Sequence, residues 1–284
     1  MISSLALGFS ASNEPTRTYP RGFKRQSTPL GEVLSVANIT DADVAAAPAS
    51  VDWSQQGALT PVKDQGQCGS CWAFSTTEGV ESAVWKATGK LPPPLSTEQL
   101  VDCEKQDDGC DGGDIPEAVR YLKKYGMTTA SEYPDDSSKS GHTRRCTWDG
   151  EYDIDVKSFS YAIPQCQEGS CADQNEEKLA AALAKYGPLS ICINSGDGQP
   201  GDWAKYKGGV LDKECKAKAN LVDHCVQLVG YNKEAATPYW KVRNSWGPDW
   251  GEDGFIRLPY GKQNACCVGC EAVIIEATTK AVEA

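Results

Sequence analysis

Histidine and methionine are the scarcest side chains in this 284-residue chain, with two of each, and phenylalanine follows with five. So few imidazoles, beside cysteines that are scattered instead of grouped in repeated Cys-x2-Cys pairs, leave no ligand quartets for a cysteine-rich metal-binding protein, and no metal is expected. No stretch approaches the roughly 18 consecutive apolar residues of a membrane-spanning helix, so no membrane partner is expected. Basic residues are in the minority, 28 against 39 acidic for a net charge of −11, which argues against nucleic acid as a partner. The first 47 residues hold no cysteine and little apolar periodicity. Within them Leu5-Ala-Leu-Gly-Phe9 has no basic n-region and is short for an h-region, so it is not read as a signal peptide.

Cysteine, by contrast, is abundant at thirteen. That is too many for a reducing cytosol without metal and points to an oxidising route. The odd count has a chemical meaning, because one thiol kept free for chemistry leaves enough for six bridges. Spacing alone does not give their connectivity. Length and a 40% hydrophobic content suit a two-lobed globular protein with a sizeable core. From Cys71 to about Ala87 the chain lacks proline and stops at Gly89, which predicts a central helix. Pro116 to Tyr125 has helical spacing with Gly126 as a stop, and Asn175 to Lys185 reads as a third helix ended by Gly187-Pro188. Beyond Pro188 the texture changes to short apolar runs, Leu189 to Ile193, Cys225 to Gly230, Tyr239 to Val242, Phe255 to Leu258 and Ala272 to Ile275, all strand signals separated by turn residues.

Chemistry concentrates at Gln65-Gly-Gln-Cys68-Gly-Ser-Cys71-Trp72-Ala-Phe74, where a thiol stands at the first turn of the central helix. The positive end of a helix dipole favours thiolate, and a depressed pKa is what makes cysteine a usable nucleophile. Taken alone, Cys68 and Cys71 also fit half a zinc site, or a disulfide beside a core residue. Of the two candidate bases, His142 sits in a polar loop and reads as an exposed surface histidine. His224 precedes a strand-like run that would hold its ring at a lobe edge, where it can pair with Cys71 and later protonate an amine leaving group. Asn244 can accept the second imidazole N–H, and Trp246 can shield that bond from water.

These segments, in the order Gln65 to Phe74, Gly109-Cys110-Asp111-Gly112-Gly113, Val222-Asp223-His224, Tyr239 to Gly247 and Trp250 to Phe255, resemble the papain family of cysteine proteases, in its cathepsin L-like branch. The Cys-Gly-Ser-Cys-Trp run is that family's local signature, and the spacing from Cys71 to His224 and Asn244 is slightly longer than the family's roughly 130–150 residues. The inserts near Cys166–Cys171 and Ser137–Arg145 can hold the excess.

The resemblance covers about Pro48 to Ala277 and implies an α+β fold of two lobes. A helical lobe (roughly 60–187) and a β-barrel-like lobe (roughly 188–277) would flank the cleft, with 278–284 as a tail. Residues 1–47 would be the remnant of a propeptide, its start truncated, joined through the flexible run Ala45-Ala-Ala-Pro48 and removed on activation. The resemblance further implies an endopeptidase acting through a Cys71 acyl-enzyme, with His224 as acid and base, Asn244 orienting it and Gln65 in the oxyanion hole. Gly112 and Gly113 would bind substrate backbone. Ile115, Cys192, Val222, Cys225 and, at its floor, Glu271 would wall the pocket for the second residue before the cut, with Asp223 and Trp246 lining the cleft. That pocket should prefer Leu or Phe, with Arg accepted through Glu271. By resemblance Cys68 pairs with Cys110, Cys103 with Cys146 and Cys215 with Cys266. Cys166 and Cys171 are expected to close a small loop, while Cys267 and Cys270 are unassigned and Cys192 with Cys225 would stiffen the pocket wall if bridged. Expected partners are protein or peptide substrates, cystatin-like inhibitors and the chain's own propeptide; no cofactor is implied. A monomer in a lysosome-like, vacuolar or secreted setting is the corresponding expectation. A catalytically silent homologue serving in binding or storage is the alternative, which loss of Cys71, His224 or Gln65 would have favoured.

Overall fold

The computed structural model describes residues 19–26, 35–196, 202–211 and 215–281. The Leu5–Phe9 run lies outside them. In chain order the helices and strands are α1 (Asp41–Ala46), β1 (Ser50–Asp52), α2 (Cys71–Thr88), α3 (Thr97–Cys103), α4 (Ile115–Tyr125), α5 (Ser137–Ser140), β2 (Ile154–Tyr161), α6 (Glu176–Tyr186), β3 (Leu189–Ile193), β4 (His224–Asn232), β5 (Tyr239–Arg243), β6 (Phe255–Pro259) and β7 (Glu271–Thr279). The strands form one antiparallel sheet in the order β2-β7-β3-β4-β5-β6, with β1 paired to β4. The result is an α+β fold.

Strand alternation divides the interior in two, because successive side chains leave a strand on opposite faces. Along β3, Leu189, Ile191 and Ile193 enter one core while Cys192 enters the other. Along β7, Ala272 and Ile274 join the first, and Val273, Ile275 and Ala277 the second. The second core is filled by α2 and α4, through Trp72, Val80, Val84, Val119 and Leu122. The first is filled by α6 and by Trp203, Trp240, Trp246 and Trp250.

Helix α2 is buried almost throughout and ends at Gly89, a left-handed residue (φ 73°) whose N–H returns to the carbonyl of Trp85, as a glycine stop should. Its close approach to the sheet passes through Gly79, where a Cβ would come within 2.3 Å of Ser190 Oγ and 2.8 Å of Ile275 Cδ1.

Four features depart from the sequence expectation. The Ala45-Ala-Ala run is not a loose linker, since Thr40 and Asp43 form a capping box that starts α1, and Lys185 of α6 pairs with Asp43 at 2.9 Å. Strand β2 lies inside the stretch assigned to the helical lobe, yet it pairs with β7 from Ile154↔Thr279 to Tyr161↔Val273. The same pairing carries β7 to Thr279, into what was read as a tail. Helix α3 was not foreseen, although Ser96 accepts from the backbone N–H of Gln99 in the pattern of an N-cap. Among the described residues no helix is long and apolar enough to cross a membrane.

One buried ion pair ties α2 to β5. Arg243 Nη2 lies 2.8 Å from Glu78 Oε1 with both side chains 1% exposed, and Arg243 also donates to the Thr60 carbonyl at 3.0 Å. Burial pushes the Glu78 carboxyl above its usual range, opposed by Arg243 and Lys63. Removing only the cation therefore strands a carboxyl in the core. Arg243→Met is expected to cost about 3–5 kcal/mol in denaturant unfolding of the full chain, with much of the loss recovered in the Glu78→Met, Arg243→Met double variant. Equal losses in the single and double variants would show that the pairing is not what matters.

Candidate active site

Cys71 opens α2 and is the one free cysteine among the described residues. The other twelve are bridged as Cys68–Cys110, Cys103–Cys146, Cys166–Cys171, Cys192–Cys225, Cys215–Cys266 and Cys267–Cys270. The first of these holds the loop entering α2. Across the cleft, β4 begins at His224 and β5 ends next to Asn244; because β4 and β5 are paired, the two side chains meet, Nε2 to Oδ1, at 2.8 Å. Oδ1 also accepts from the Ser245 N–H at 2.9 Å, so it serves as acceptor and the imidazole proton sits on Nε2. Nδ1 then faces the cleft as an acceptor, with no hydrogen-bond partner among the described residues. Trp246 stacks on the ring (centroids 4.9 Å apart, 27° between planes) and Trp203 meets it edge-on at 6.1 Å. The N–H of Cys225, the residue after His224, donates to Cys71 Sγ at 3.3 Å.

Gln65 is oriented from behind: Ser245 Oγ donates to its Oε1 at 2.7 Å, and its backbone N–H donates to the Ser245 carbonyl at 2.8 Å. Its Nε2 therefore points into the cleft, where it donates to the carbonyl of Pro20 at 3.1 Å.

The segment from Tyr19 to Gln26 fills that cleft. Tyr19 stacks on Trp246 at 4.6 Å. Arg21 reaches Asp202 at 2.9 Å, Ser195 Oγ at 2.6 Å and Asp223 at 3.5 Å. Gly22 N–H donates to Cys71 Sγ at 3.2 Å. Gly113 N–H donates to the Gly22 carbonyl at 2.8 Å, Lys24 N–H to the Gly113 carbonyl at 2.9 Å, and Phe23 N–H to the Asp223 carbonyl at 3.3 Å. Arg25 ends the run 3.8 Å from Glu271. A Cβ on Gly22 would lie 1.6 Å from the carbonyl oxygen of Gly69, so this contact requires glycine.

Covered in this way, the site is electrically quiet. Burial pushes the Cys71 thiol up to about 12, against the lowering effect of the N–H groups of Cys225 and Gly22. Burial pulls His224 down to about 3, opposed by Asn244 and assisted by the charge of Arg21. While the segment is seated the thiol is therefore held above its usual range, because burial outweighs the N–H groups of Cys225, Gly22 and Trp72 that favour the thiolate.

The other predicted residues fall as follows. Ile115, Cys192, Val222 and Cys225 share one buried apolar cluster, and Glu271 opposes Cys192 in the sheet register. Gly113, not Gly112, makes the backbone bonds to the seated segment; Gly112 closes the turn behind it, its N–H donating to the Gly109 carbonyl. His142 lies exposed in its loop. The contributions of Trp203, Ser195, Asp202 and Asp114 were not foreseen, nor was it foreseen which residues of the N-terminal segment, here Tyr19–Gln26, would lie in the cleft. The only sequence signal for the last was a basic Arg-Gly-Phe-Lys-Arg run in an acidic chain. Among the described residues, two groupings place three metal-ligand atoms within 4.8 Å, Cys171 with Cys267 and Cys270, and Asp114 with Cys192 and Glu271. Every cysteine in them is bridged, which leaves no thiolate for a metal.

Comparison with known proteins places this geometry in a family. Residues 47–275 match the model of the papain family cysteine proteases. Cysteine proteinase B of Leishmania mexicana is 38% identical over 229 residues, which is 79% of this chain and 47% of that protein. Digestive cysteine proteinase 1 of Homarus americanus is 34% identical over 265 residues, 92% of this chain and 75% of that protein. The chain thus spans about half the length of some relatives and three quarters of others. The structure of digestive procathepsin L2 proteinase from Tenebrio molitor larval midgut aligns at a TM-score of 0.74 and 30% identity, over 91% of this chain and 78% of that one. The chain belongs to the papain family of cysteine proteases.

Proposed function

We propose that this chain is the zymogen of a cysteine endopeptidase that cleaves protein or peptide substrates through a Cys71 acyl-enzyme. The observation that carries the reading is the convergence on one cleft of a lone thiol, an imidazole held by Asn244 with its other nitrogen open, and the Gln65 amide already donating to a carbonyl.

The chemistry follows from those atoms. His224 Nδ1 takes the thiol proton, and Cys71 Sγ adds to the substrate carbonyl. Gln65 Nε2 and the Cys71 backbone N–H stabilise the oxyanion, an effect worth about a hundredfold to a thousandfold in rate per donor. The imidazolium then gives its proton to the departing amine, and water, deprotonated by the same ring, releases the acyl group. Stacking under Trp246 keeps water from the His224–Asn244 bond.

Substrate direction follows from the pocket assignment. With the second residue before the cut near Glu271 and the leaving side near Trp246, a substrate runs from Glu271 toward Trp246. The Tyr19–Gln26 segment runs the other way. It presents the sulfur with the N–H of Gly22 instead of a carbonyl carbon, so it blocks the site without being cut. Removal of residues up to about Ala47 is the activating step in this reading, and an oxidising compartment, lysosome-like, vacuolar or secreted, suits six bridges. The pocket of Ile115, Cys192, Val222 and Cys225 favours Leu or Phe, with Glu271 admitting Arg. Cystatin-like proteins are the inhibitors that such a cleft would attract.

Two outcomes are expected. The thiol and imidazole of the full chain are both uncharged from about pH 4 to 8, since Cys71 is pushed up and His224 pulled down. An epoxysuccinyl electrophile should therefore label the full chain slowly at every pH in that range, and the processed enzyme quickly at Cys71 with loss of peptidase activity. Equal labelling rates before and after processing would contradict the covering role of the segment. In the full chain Gly22→Ala should unseat the segment, its Cβ lying 1.6 Å from the Gly69 carbonyl oxygen, and raise labelling by about tenfold or more, the scale of one lost hydrogen bond, without changing the activity of the processed form. An unaltered labelling rate would count against the Gly22–Cys71 contact.

A further inference from the structure

The residue before α4, Asp114, carries a carboxyl with no part in the chemistry above. It occupies the N-cap position but makes no side-chain cap bond to its own helix. Instead it is turned into the cleft wall, 3% exposed, where Oδ2 accepts the N–H of Gln26 at 3.2 Å and Oδ1 has no hydrogen-bond partner. Glu271 approaches from β7. It is fully buried, Oε2 accepts from Gln165 Nε2 at 2.5 Å, and Oε1 likewise has no hydrogen-bond partner. An oxygen of each carboxyl lies within 4.8 Å of the other and of Cys192 Sγ.

Two such groups out of water cannot both ionise freely, because each charge opposes the other where little solvent screens them. What faces them in this structure is a guanidinium. Arg25 Nη2 lies 3.8 Å from Glu271, Nη1 donates to the Gln167 carbonyl at 2.9 Å, and Nε and Nη2 are buried without hydrogen-bond partners. The pair is thus seen with a basic side chain against it.

We propose that Asp114 is a specificity-determining residue which, with Glu271, forms a proton-sharing carboxyl pair at the end of the substrate pocket. Doubly ionised, the pair selects a guanidinium or ammonium side chain; holding one proton, it accepts an uncharged one. In the zymogen Arg25 occupies the same position. This rests on the assignment of the Glu271 pocket made above and adds the second carboxyl to it.

The electrostatics agree with the geometry. Burial first, and then the charge of Glu271, hold Asp114 well above the usual carboxylate range, while Arg25 pulls it down. The other charged or titratable groups facing the pair are Glu117 and Arg120 of α4 and Tyr161 of β2. Asp107, in the loop before α4, is itself pushed up to about 9 by burial and by Glu104 and Asp114. Processing removes the Arg25 cation and the Gln26 N–H, which favours the proton, and returns water to the open cleft, which favours ionisation; what persists is the charge of each carboxyl on the other. Selection of a basic side chain should then switch on at a pH above that of a single exposed carboxylate.

The test uses the processed enzyme and two fluorogenic peptides that differ only in Arg or Leu at the second position before the cut. The ratio of their kcat/KM values, measured from pH 4 to 8, cancels the ionisation of Cys71 and His224. In the wild type the ratio should rise with pH through a step above the ordinary carboxylate range. Asp114→Asn should lower its high-pH value at least about tenfold, the scale of one hydrogen bond to a charged group. It should also bring the step down toward the pKa of a lone carboxyl. Glu271→Gln should lower the ratio similarly. If Glu271→Gln changes the ratio and Asp114→Asn changes neither its height nor its step, the pair is refuted while the pocket assignment stands. If neither variant changes it, both fall. A second measurement needs no enzyme variant: a synthetic peptide of residues 19–26 should inhibit the processed enzyme better than its Arg25→Leu form, with the advantage vanishing on acidification through the same step. A pH-independent advantage would overturn the proposal.

Discussion

Everything at this site depends on where α2 lies against the sheet. Apolar packing alone would let a helix slide along the strands, since hydrophobic contact has little directional preference. Here buried polar bonds remove that freedom. Ser75 Oγ donates to the carbonyl of Val226, Ser190 Oγ to the carbonyl of Ser75, both at 2.7 Å, and Gln227 Nε2 donates to the carbonyl of Glu78 at 2.9 Å. All of these groups are shielded from water, where a bond broken by a shift would leave unsatisfied donors and acceptors at about 1–3 kcal/mol each. Their consequence at the end of the helix is chemical. The Cys71 sulfur is fixed against the first residues of β4, and His224 is one of them.

The seated segment works against ionisation at that same place. A thiol and an imidazole become an ion pair only where the surroundings stabilise two charges, and water at an open cleft does much of that. Tyr19 to Gln26 displaces it and returns only weak compensation, chiefly the Gly22 N–H on the sulfur. Arg21, held by Asp202 and Asp223, adds a positive charge that further disfavours the imidazolium. The segment therefore disfavours ionisation as well as covering the sulfur.

How much of this could be read in the sequence depends on how local each signal is. Helix α2 was legible from Cys71 to its glycine stop because propensity and breaker act within one turn. The five later strands were legible as short apolar runs, with ends displaced by one to four residues where pairing with a neighbour extends them. Strand β2 was not read, although Ile154 and Val156 alternate with Asp155 and Lys157. A register shift between Val156 and Ser158 interrupts the alternation, and what completes the strand is β7, more than a hundred residues on. That Cys71, His224, Asn244 and Gln65 would meet at one cleft was legible because the motifs around them are short. Asp114 was not, since an aspartate after Gly112-Gly113 reads as an ordinary helix cap until the fold sets it beside Glu271.

The bridges show the same division between local and distant causes. Cys166–Cys171 and Cys267–Cys270 span five and three residues and close small loops, so they remove little freedom from the unfolded chain. Cys68–Cys110 and Cys192–Cys225 span 42 and 33 and lie on either side of Cys71. One holds the loop that carries Gln65 and the entry to α2. The other joins β3 to β4 at the level where Cys225 meets the sulfur and where Glu271 faces Cys192 in the register. A catalytic group held to within a fraction of an ångström needs rigid support on the side from which substrate does not come. In this chain such support is covalent at both places, Cys68–Cys110 beside the entry to α2 and Cys192–Cys225 where Cys192 faces Glu271 in the sheet register.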